Sequence, residues 1–365
     1  MGTSGPGRVS IEELMRGAIE KSASDIHLKV DSPPIYRIDG DLVRLPGDPL
    51  TEEDVVACLE VIADPADVAK FRKIMELDTS YTLGDLARFR VNACKEDGAT
   101  RVVMRLIPLD VKKIPELGLP PVLAKICQVK TGLCLVTGPT GSGKSTTLAA
   151  MIDEINETRP VHVVTIEDPL EFVHRDKKAI ITQREVGHDT LSFANSLRGA
   201  LRQDPDVILI GEMRDAETVR TALASAETGH LVLSTLHTVD AVETLNRIID
   251  FFEPHQQLQI RKQMASVLRA AISQRILPLK SGTGRCVATE ILIGTRTVRD
   301  FIEQGKSIKD IVKLIEEGKD QWGMQTFDQA LFDLYQAGTI SAETAMQFAT
   351  SAKDLKLRIQ GMRVS

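Results

Sequence analysis

The chain has 365 residues, of which 42% are hydrophobic and 26% charged, and this composition is typical of a globular protein with more than one domain. A net charge of −6 and an aromatic content of 4% argue against nucleic-acid binding, because basic and base-stacking residues are both scarce. The five cysteines form no C-x-x-C pair, which argues against a disulfide framework and a zinc site and suits the cytoplasm. The sequence has no apolar run of 18 residues, so we expect membrane contact only through a partner.

The first 111 residues predict a mixed α+β domain. Apolar residues recur at helical spacing over 11–21, and residues 51–54 have the pattern of a capping box that begins a second helix. The dipeptides Asp39-Gly40 and Asp97-Gly98 indicate hairpin turns. Strands are predicted at 26–30, 35–38, 42–45, 87–93 and 100–107.

Residues 112–121 contain three prolines and a glycine, and we interpret them as a linker. The following region, 122–290, alternates strand and helix patterns and predicts a mostly parallel sheet with helices on both faces. Its predicted strands are 133–137, 162–166, 207–210 and 231–235. From residue 253 the pattern is helical, and residues 291–365 are interpreted as a C-terminal helical region. The predicted helices of this part are 256–275, 301–317, 326–336 and two that begin at Ser341 and Ser351.

The strongest functional signal lies between the first strand of the second region and the helix that follows it. The pattern G-x-x-x-x-G-K-[ST] is fulfilled there, and the residues expected to bind nucleotide are Gly138, Pro139, Thr140, Gly141, Ser142, Gly143, Lys144, Ser145 and Thr146. Glycines let backbone N–H groups surround an anion, and the N-terminus of a helix attracts it. We expect Lys144 to contact the β- and γ-phosphates and Ser145 to bind Mg²⁺. This stretch therefore predicts a binding site for a nucleoside triphosphate, which we expect to be ATP.

Acidic residues follow the second and third strands of the predicted sheet, at the edge where such sheets bind ligands. Glu167 is expected to position water or to act as a general base. For Asp168 and Glu171, a role in starting a turn and a helix is equally open. An apolar strand that ends in an acid, here Gly211-Glu212, is typical of P-loop ATPases. We expect Glu212 to support Mg²⁺, directly or through water.

His237 follows the fourth strand, and we expect it to act catalytically as a γ-phosphate sensor. His230 precedes the same strand, next to a glycine that is expected to end a helix, so a structural and a functional role are both open. Arg198 and Arg202 lie four residues apart on a predicted helix over 192–202. They either form a solvated face or line a subunit interface near the nucleotide.

With these motifs, the chain resembles the secretion ATPase superfamily of type II and type IV secretion systems and type IV pili. The four matching boxes are Walker A (138–145), the Asp box TIEDPLE (165–171), the Walker B region DVILIGEMRD (206–215) and the His box TGHLVLSTLH (228–237). Within the superfamily, SDIH at 24–27 and GMQTFDQAL at 323–331 resemble the retraction ATPases of type IV pili, the PilT type. The AIRNLIRE stretch usual in that type appears here as TVRDFIEQ at 297–304.

The resemblance implies a PAS-like N-terminal domain, a RecA-like P-loop domain and C-terminal helices, assembled as a homohexamer. Arginines of the N-terminal domain would complete the nucleotide site of the neighbouring subunit, and the matching strands carry Arg90, Arg101 and Arg105.

The resemblance also implies a Mg²⁺-dependent ATPase that drives pilus retraction and twitching motility from the cytoplasmic face of the inner membrane. Its expected partners are an inner-membrane pilus platform protein and paralogous pilus ATPases. Pilus extension and type II secretion are the alternatives within the superfamily. A nucleic-acid-translocating RecA-like ring and a nucleotide-gated structural regulator are alternatives of other classes.

Overall fold

The computed structural model describes residues 10–107 and 111–361, and the chain divides into two compact units, 1–110 and 111–365. The proline-rich segment 112–121 belongs to the second unit, where Ile114 and Leu119 are buried in a core cluster. No helix within the described residues is long and apolar enough to cross a bilayer.

Unit 1 is an antiparallel six-stranded sheet with three helices, which confirms the predicted α+β architecture. The strand order is β3-β2-β1-β6-β5-β4. The strands are β1 (Asp25–Lys29), β2 (Ile35–Ile38), β3 (Asp41–Arg44), β4 (Glu76–Leu83), β5 (Ala87–Glu96) and β6 (Ala99–Ile107), and the helices are α1 (Ile11–Glu20), α2 (Glu52–Ile62) and α3 (Pro65–Ile74). The predicted capping box of Thr51 and Asp54 begins α2, whereas α3 and β4 were not predicted.

Unit 2 contains a seven-stranded sheet of order β13-β12-β7-β11-β10-β8-β9. All neighbours are parallel except β12 and β13. The strands are β7 (Gly132–Thr137), β8 (His162–Glu167), β9 (Ile180–Glu185), β10 (Val207–Ile210), β11 (Leu231–Leu236), β12 (Leu268–Pro278) and β13 (Arg285–Ile293). Leu133 and Leu135 pack into one core cluster and Cys134 and Val136 into another, so both faces are covered, as predicted.

Within residues 111–361, six helices come before β12 and six follow β13. The first six are α4 (Val122–Cys127), α5 (Lys144–Thr158), α6 (Phe193–Ala200), α7 (Ala216–Glu227), α8 (Ala241–Asp250) and α9 (Pro254–Val267). The last six are α10 (Arg296–Gln304), α11 (Ile308–Glu317), α12 (Lys319–Trp322), α13 (Phe327–Gln336), α14 (Ala342–Phe348) and α15 (Ala352–Ile359). Thr326, Ser341 and Ser351 cap α13, α14 and α15, which confirms the helix starts predicted there.

Two helix predictions were wrong. The helix predicted over 256–275 ends at Val267, because the chain continues as β12 between β7 and β13. The apolar run 270–272 fits both helical and extended spacing, and pairing with two strands decides in favour of the strand. The helix predicted over 301–317 is interrupted, because Gly305 at φ 66° ends α10 and Ser307 caps α11. The region after 253 is therefore not all helical.

Candidate nucleotide site

The glycine-rich loop has the backbone that a phosphate site requires. Gly138 has a φ of 144°, and a Cβ there would lie 2.5 Å from Ser142 Oγ and 2.6 Å from the Gln274 carbonyl oxygen. The Ser142 hydroxyl is buried without a hydrogen-bond partner within the described parts of the chain, so it is available to a ligand. Gly143 precedes α5 without a side-chain cap, which leaves the first N–H groups of this helix available too. Pro139, Thr140 and Gly141 form the exposed rim of the loop. These features fit a polyphosphate.

Lys144 is buried at the start of α5, and its Nζ donates to the carbonyl oxygens of Gly138, at 2.8 Å, and Pro139, at 3.1 Å. Burial lowers the pKa of this lysine, and the charges of Glu212 and Glu171 oppose that effect. Among the described residues, the Lys144 ammonium group hydrogen-bonds only to neutral carbonyl oxygens. An anionic phosphate is therefore the partner that would compensate the buried charge.

Ser145 and Thr146 are partly buried in the first turn of α5. Ser145 lines a cavity of about 40 Å³ that Glu167, Gly211 and Thr235 also line. Over residues 10–107 and 111–361, no three His, Cys, Asp or Glu side chains form a group that could hold a metal ion. The donors present suit Mg²⁺, which usually keeps phosphate and water ligands beside one or two protein oxygens.

Glu167 is the last residue of β8, and its carboxylate is held by neighbouring side chains. Oε1 accepts hydrogen bonds from Thr165 Oγ1 at 2.7 Å and from Gln183 Nε2 at 3.5 Å. Burial raises the pKa of Glu167 to about 7, although these hydrogen bonds oppose the shift. A carboxylate with a pKa in this range is well suited to accept a proton at neutral pH. The neighbouring Asp168 lies 3.8 Å from Arg214 Nη1, and the Glu171 backbone N–H donates to Glu167.

Glu212 follows β10 and is bound by two basic side chains. Arg214 Nε donates to its Oε2 at 2.7 Å, and His237 Nε2 lies 3.3 Å from its Oε1. The structure therefore brings together two residues that the sequence predicted separately, from the ends of β10 and β11. Arg214 was not singled out from the sequence, although it lies within the Walker B motif, two residues after the acid.

The two histidines of the His box lie at opposite ends of β11. His237 follows the strand, with its side chain 47% exposed. His230 precedes the strand, and its Nδ1 lies 2.9 Å from the Ser225 carbonyl oxygen near the end of α7, which favours the structural role. Arg198 in α6 pairs with Glu217 and Asn195, whereas Arg202 is exposed and lies two residues after the end of this helix.

A chain of buried hydroxyl groups beneath the loop was missed by the sequence analysis. Thr137, which precedes Gly138, has its Oγ1 2.7 Å from Ser273 Oγ and 3.3 Å from Thr244 Oγ1. Thr244 Oγ1 in turn lies 2.6 Å from the hydroxyl of Thr238, the residue after His237. The link from the phosphate loop to the residue after the His box runs through Thr244 of α8, and Ser273 of β12 joins it at Thr137. Its members come from β7, α8, β12 and the segment after β11, so they are brought together only by the fold.

In unit 1, Arg90 on β5 and Arg105 on β6 face each other in the strand register. Together with Asp25, Asp78 and Asn92 they line a cleft of about 360 Å³. Arg105 Nε donates to the buried Asp25 carboxylate at 2.8 Å, whereas Arg101 pairs with Glu96 at 3.4 Å. Directly opposed like charges are unfavourable in a sheet, so the pair Arg90 and Arg105 suits an anionic partner.

The chain is similar to known proteins of secretion systems and type IV pili. Residues 3–309 match the protein family described as "Type II/IV secretion system protein". The chain is 45% identical to the type IV pilus retraction ATPase PilT of Pseudomonas aeruginosa over 341 residues, 93% of this chain and 98% of PilT. It is 45% identical to the twitching motility protein of Neisseria gonorrhoeae over 346 residues, 95% of this chain and 92% of that protein.

A solved structure shares the fold of the whole chain. The crystal structure of the pilus retraction motor PilT with bound ADP matches with a TM-score of 0.89 and 44% identity, covering 96% of this chain and 99% of that one. The chain therefore belongs to the type II/IV secretion system protein family and is an ATPase of that family.

Proposed function

We propose that this protein is an ATP-hydrolysing motor that drives type IV pilus retraction and twitching motility. The observation that carries the proposal is the 45% identity with a pilus retraction ATPase along 93% of the chain. We place the motor, as a homohexamer, at the cytoplasmic face of the inner membrane. Its partners there are an inner-membrane pilus platform protein and, where they exist, paralogous pilus ATPases.

In this proposal the phosphates of ATP are held by the loop from Gly138 to Thr146, with Lys144 as its cation. Ser145 and Glu212 are the residues that would hold Mg²⁺, which neutralises phosphate charge when it is bound. Glu167 accepts the proton of the attacking water, and its pKa of about 7 supports that role. The 3.3 Å contact between His237 and Glu212 supports a role for His237 as the γ-phosphate sensor.

Arg90 and Arg105 are assigned to the nucleotide of a neighbouring subunit in the hexamer. Their opposed positions on one sheet face support this assignment, because an anion between them would relieve their repulsion. An arginine supplied by another subunit stabilises charge that develops on the phosphates and makes hydrolysis depend on assembly. Arg101 is left out of the set because its partner on β5 is Cys94, so it neither opposes Arg90 nor lines the cleft that Arg90 and Arg105 share.

The test is deletion of the encoding gene, with pilus number and surface motility measured after rescue by the unaltered chain or by Lys144→Ala. We expect hyperpiliated, non-motile cells that only the unaltered chain rescues. Cells without pili would instead identify an extension motor. Unchanged piliation would contradict the proposal, and ATPase stimulation by polynucleotide would then favour the translocating-ring alternative.

A further inference from the structure

Glu167 lies in a frame of hydrogen bonds that extends to the neighbouring edge strand β9. Gln183 on β9 is aligned with Thr165 on β8, and Thr165 and Glu167 are two residues apart on the same strand. Since residues two apart share a face of a strand, the three side chains lie on one face of the sheet. Gln183 Nε2 is 3.5 Å from Glu167 Oε1, a long contact of the kind that often tightens when substrate binds.

Two backbone groups fix the orientation of the Gln183 amide. Its Nε2 donates to the Phe172 carbonyl oxygen at 2.9 Å, and its Oε1 accepts from the His174 backbone N–H at 2.8 Å. A carbonyl oxygen can only accept and a backbone N–H can only donate, so a flipped amide would lose both hydrogen bonds. The second N–H of Nε2 is therefore directed to the Glu167 carboxylate rather than left free to rotate.

The segment that Gln183 holds forms part of the wall of the cavity next to Glu167. Phe172 and His174 line this cavity of about 40 Å³ together with Ser145 of the phosphate loop. A cavity needs roughly 10–15 Å³ and several polar partners to hold a water molecule. Glu167, Thr165 and Thr235 provide such partners.

His174 adds an available polar atom to the same wall. Its Nδ1 is buried and has no hydrogen-bond partner among the residues that the structure describes. Burial lowers the pKa of His174 to about 4, so the ring is neutral and adds no charge beside Glu167 at pH 7. The cavity therefore suits an ordered water molecule next to the carboxylate.

We propose that Gln183 is a positioning residue for ATP hydrolysis, whose amide orients the Glu167 carboxylate and holds residues 172–174 as the wall of the water cavity. This inference rests on the proposed role of Glu167 as general base. Within residues 10–107 and 111–361, the side-chain hydrogen bonds of Gln183 go to Glu167, Phe172 and His174 and not to the nucleotide loop, so it acts through Glu167 and the wall.

The test compares the unaltered hexamer with the variant Gln183→Met, whose side chain has a similar length but lacks the amide. We expect kcat to fall about 10- to 100-fold, since small misplacements of a catalytic group cost rates of this order. The KM for ATP and the affinity for a non-hydrolysable ATP analogue should change less than about twofold, because the loop that holds the phosphates is untouched. Arg184→Met is the matched control, because Arg184 lies on the same strand with its side chain bonded to the Asp189 carbonyl oxygen; it should retain full turnover.

A double-mutant cycle separates positioning from general structural support. In single-turnover measurements, Gln183→Met should cause a much smaller loss when Glu167 is already Gln, because only its effect on the wall of residues 172–174 then remains. An equal loss in both backgrounds, or a loss of analogue affinity that parallels the loss of kcat, would overturn the inference. If Met at this position prevents folding, Gln183→Glu keeps the acceptor for the His174 N–H, replaces the donor to Glu167 by a second carboxylate 3.5 Å from it, and should lower turnover as well. Full turnover of Gln183→Glu would also overturn the inference.

The same measurements distinguish a failure of the proposed role of Gln183 from a failure of the proposed role of Glu167. If Glu167→Gln retains full turnover, the proposed role of Glu167 is wrong and the role of Gln183 fails with it. If Glu167→Gln is inactive while Gln183→Met turns over normally, only the positioning role is overturned and the proposed function stands.

Discussion

The two sheets of this protein carry their charged residues in different places. In the antiparallel sheet of unit 1, one face is packed into the core and the other is polar, so Arg90 and Arg105 alternate with buried residues along their strands. In the sheet of unit 2, both faces are covered and the central strands are apolar, so Glu167 and Glu212 appear only at or just after strand ends. We therefore expect the chemistry to lie at the strand ends of unit 2, and we expect the sheet face of unit 1 to have an assisting role that depends on assembly.

The largest effect should come from the phosphate loop itself. Lys144→Ala removes the buried cation of the loop, and we expect turnover to fall by at least about 10³-fold, because buried donors that stabilise phosphate charge contribute rate factors of this order. ATP affinity should fall as well, since we expect the lysine to contact the phosphates of bound ATP before hydrolysis begins. The measurement is steady-state ATPase activity together with binding of a fluorescent ATP analogue. Normal activity in this variant would place the chemistry elsewhere.

Glu167→Gln should separate binding from hydrolysis, which Lys144→Ala does not. Turnover should fall about 10³-fold, within the range that general bases contribute, while analogue affinity stays within about twofold. The amide keeps the shape of the side chain and can still accept from Thr165 Oγ1, so the fold should not change. Loss of binding in this variant would assign Glu167 a structural role instead.

The sheet face of unit 1 should matter less, and only in the assembled protein. Arg105→Ala should lower the turnover of hexamers about 10²-fold, the order expected for one charged group on the phosphates. Arg101→Ala is the matched control, because Arg101 lies four residues before Arg105 on the same face of β6 but outside the cleft that Arg90 and Arg105 line. Activity measured as a function of protein concentration tests the dependence on assembly. Equal losses in both variants would contradict the assignment of Arg105 to the nucleotide.

The pH dependence of turnover should report on Glu167. Because its pKa is raised to about 7, the carboxylate is the base above that pH and is lost as a base when the pH falls through it. We therefore expect kcat to decrease about tenfold per pH unit below pH 7 and to be flat above it. The residual activity of Glu167→Gln should lack this decrease, because the amide does not titrate. A kcat that is constant down to pH 5 would contradict the raised pKa.

The strand ends of unit 2 could be predicted from the sequence because parallel strands place the residues that follow them at the same edge of the sheet. Each such residue is marked in the sequence by a simple signal, an apolar run followed by a polar residue. Glu167, Glu212 and His237 were all found in this way. The residues that contact these side chains and the phosphate loop were not found, because their signal is spatial. Gln183 reaches Glu167 from an edge strand that was not predicted. Ser273, which contacts Thr137 before the loop, lies in a strand whose apolar run also fits a helix. Residues whose role depends on what they contact can be identified only once the fold is known.

The smallest predicted effect concerns stability, and it tests whether the two units behave independently. Thr51 and Thr326 each form a capping box, in unit 1 and unit 2 respectively. Replacing either threonine by Ala should lower the free energy of unfolding of its own unit by about 1 kcal/mol, the usual value of an N-cap. The one tryptophan of the chain, Trp322, lies in unit 2, so its fluorescence reports on that unit alone. In denaturant titrations, Thr326→Ala should lower the fluorescence midpoint, whereas Thr51→Ala should change only the circular dichroism transition. A fluorescence midpoint that Thr51→Ala lowers by the same amount would mean that the two units unfold as one.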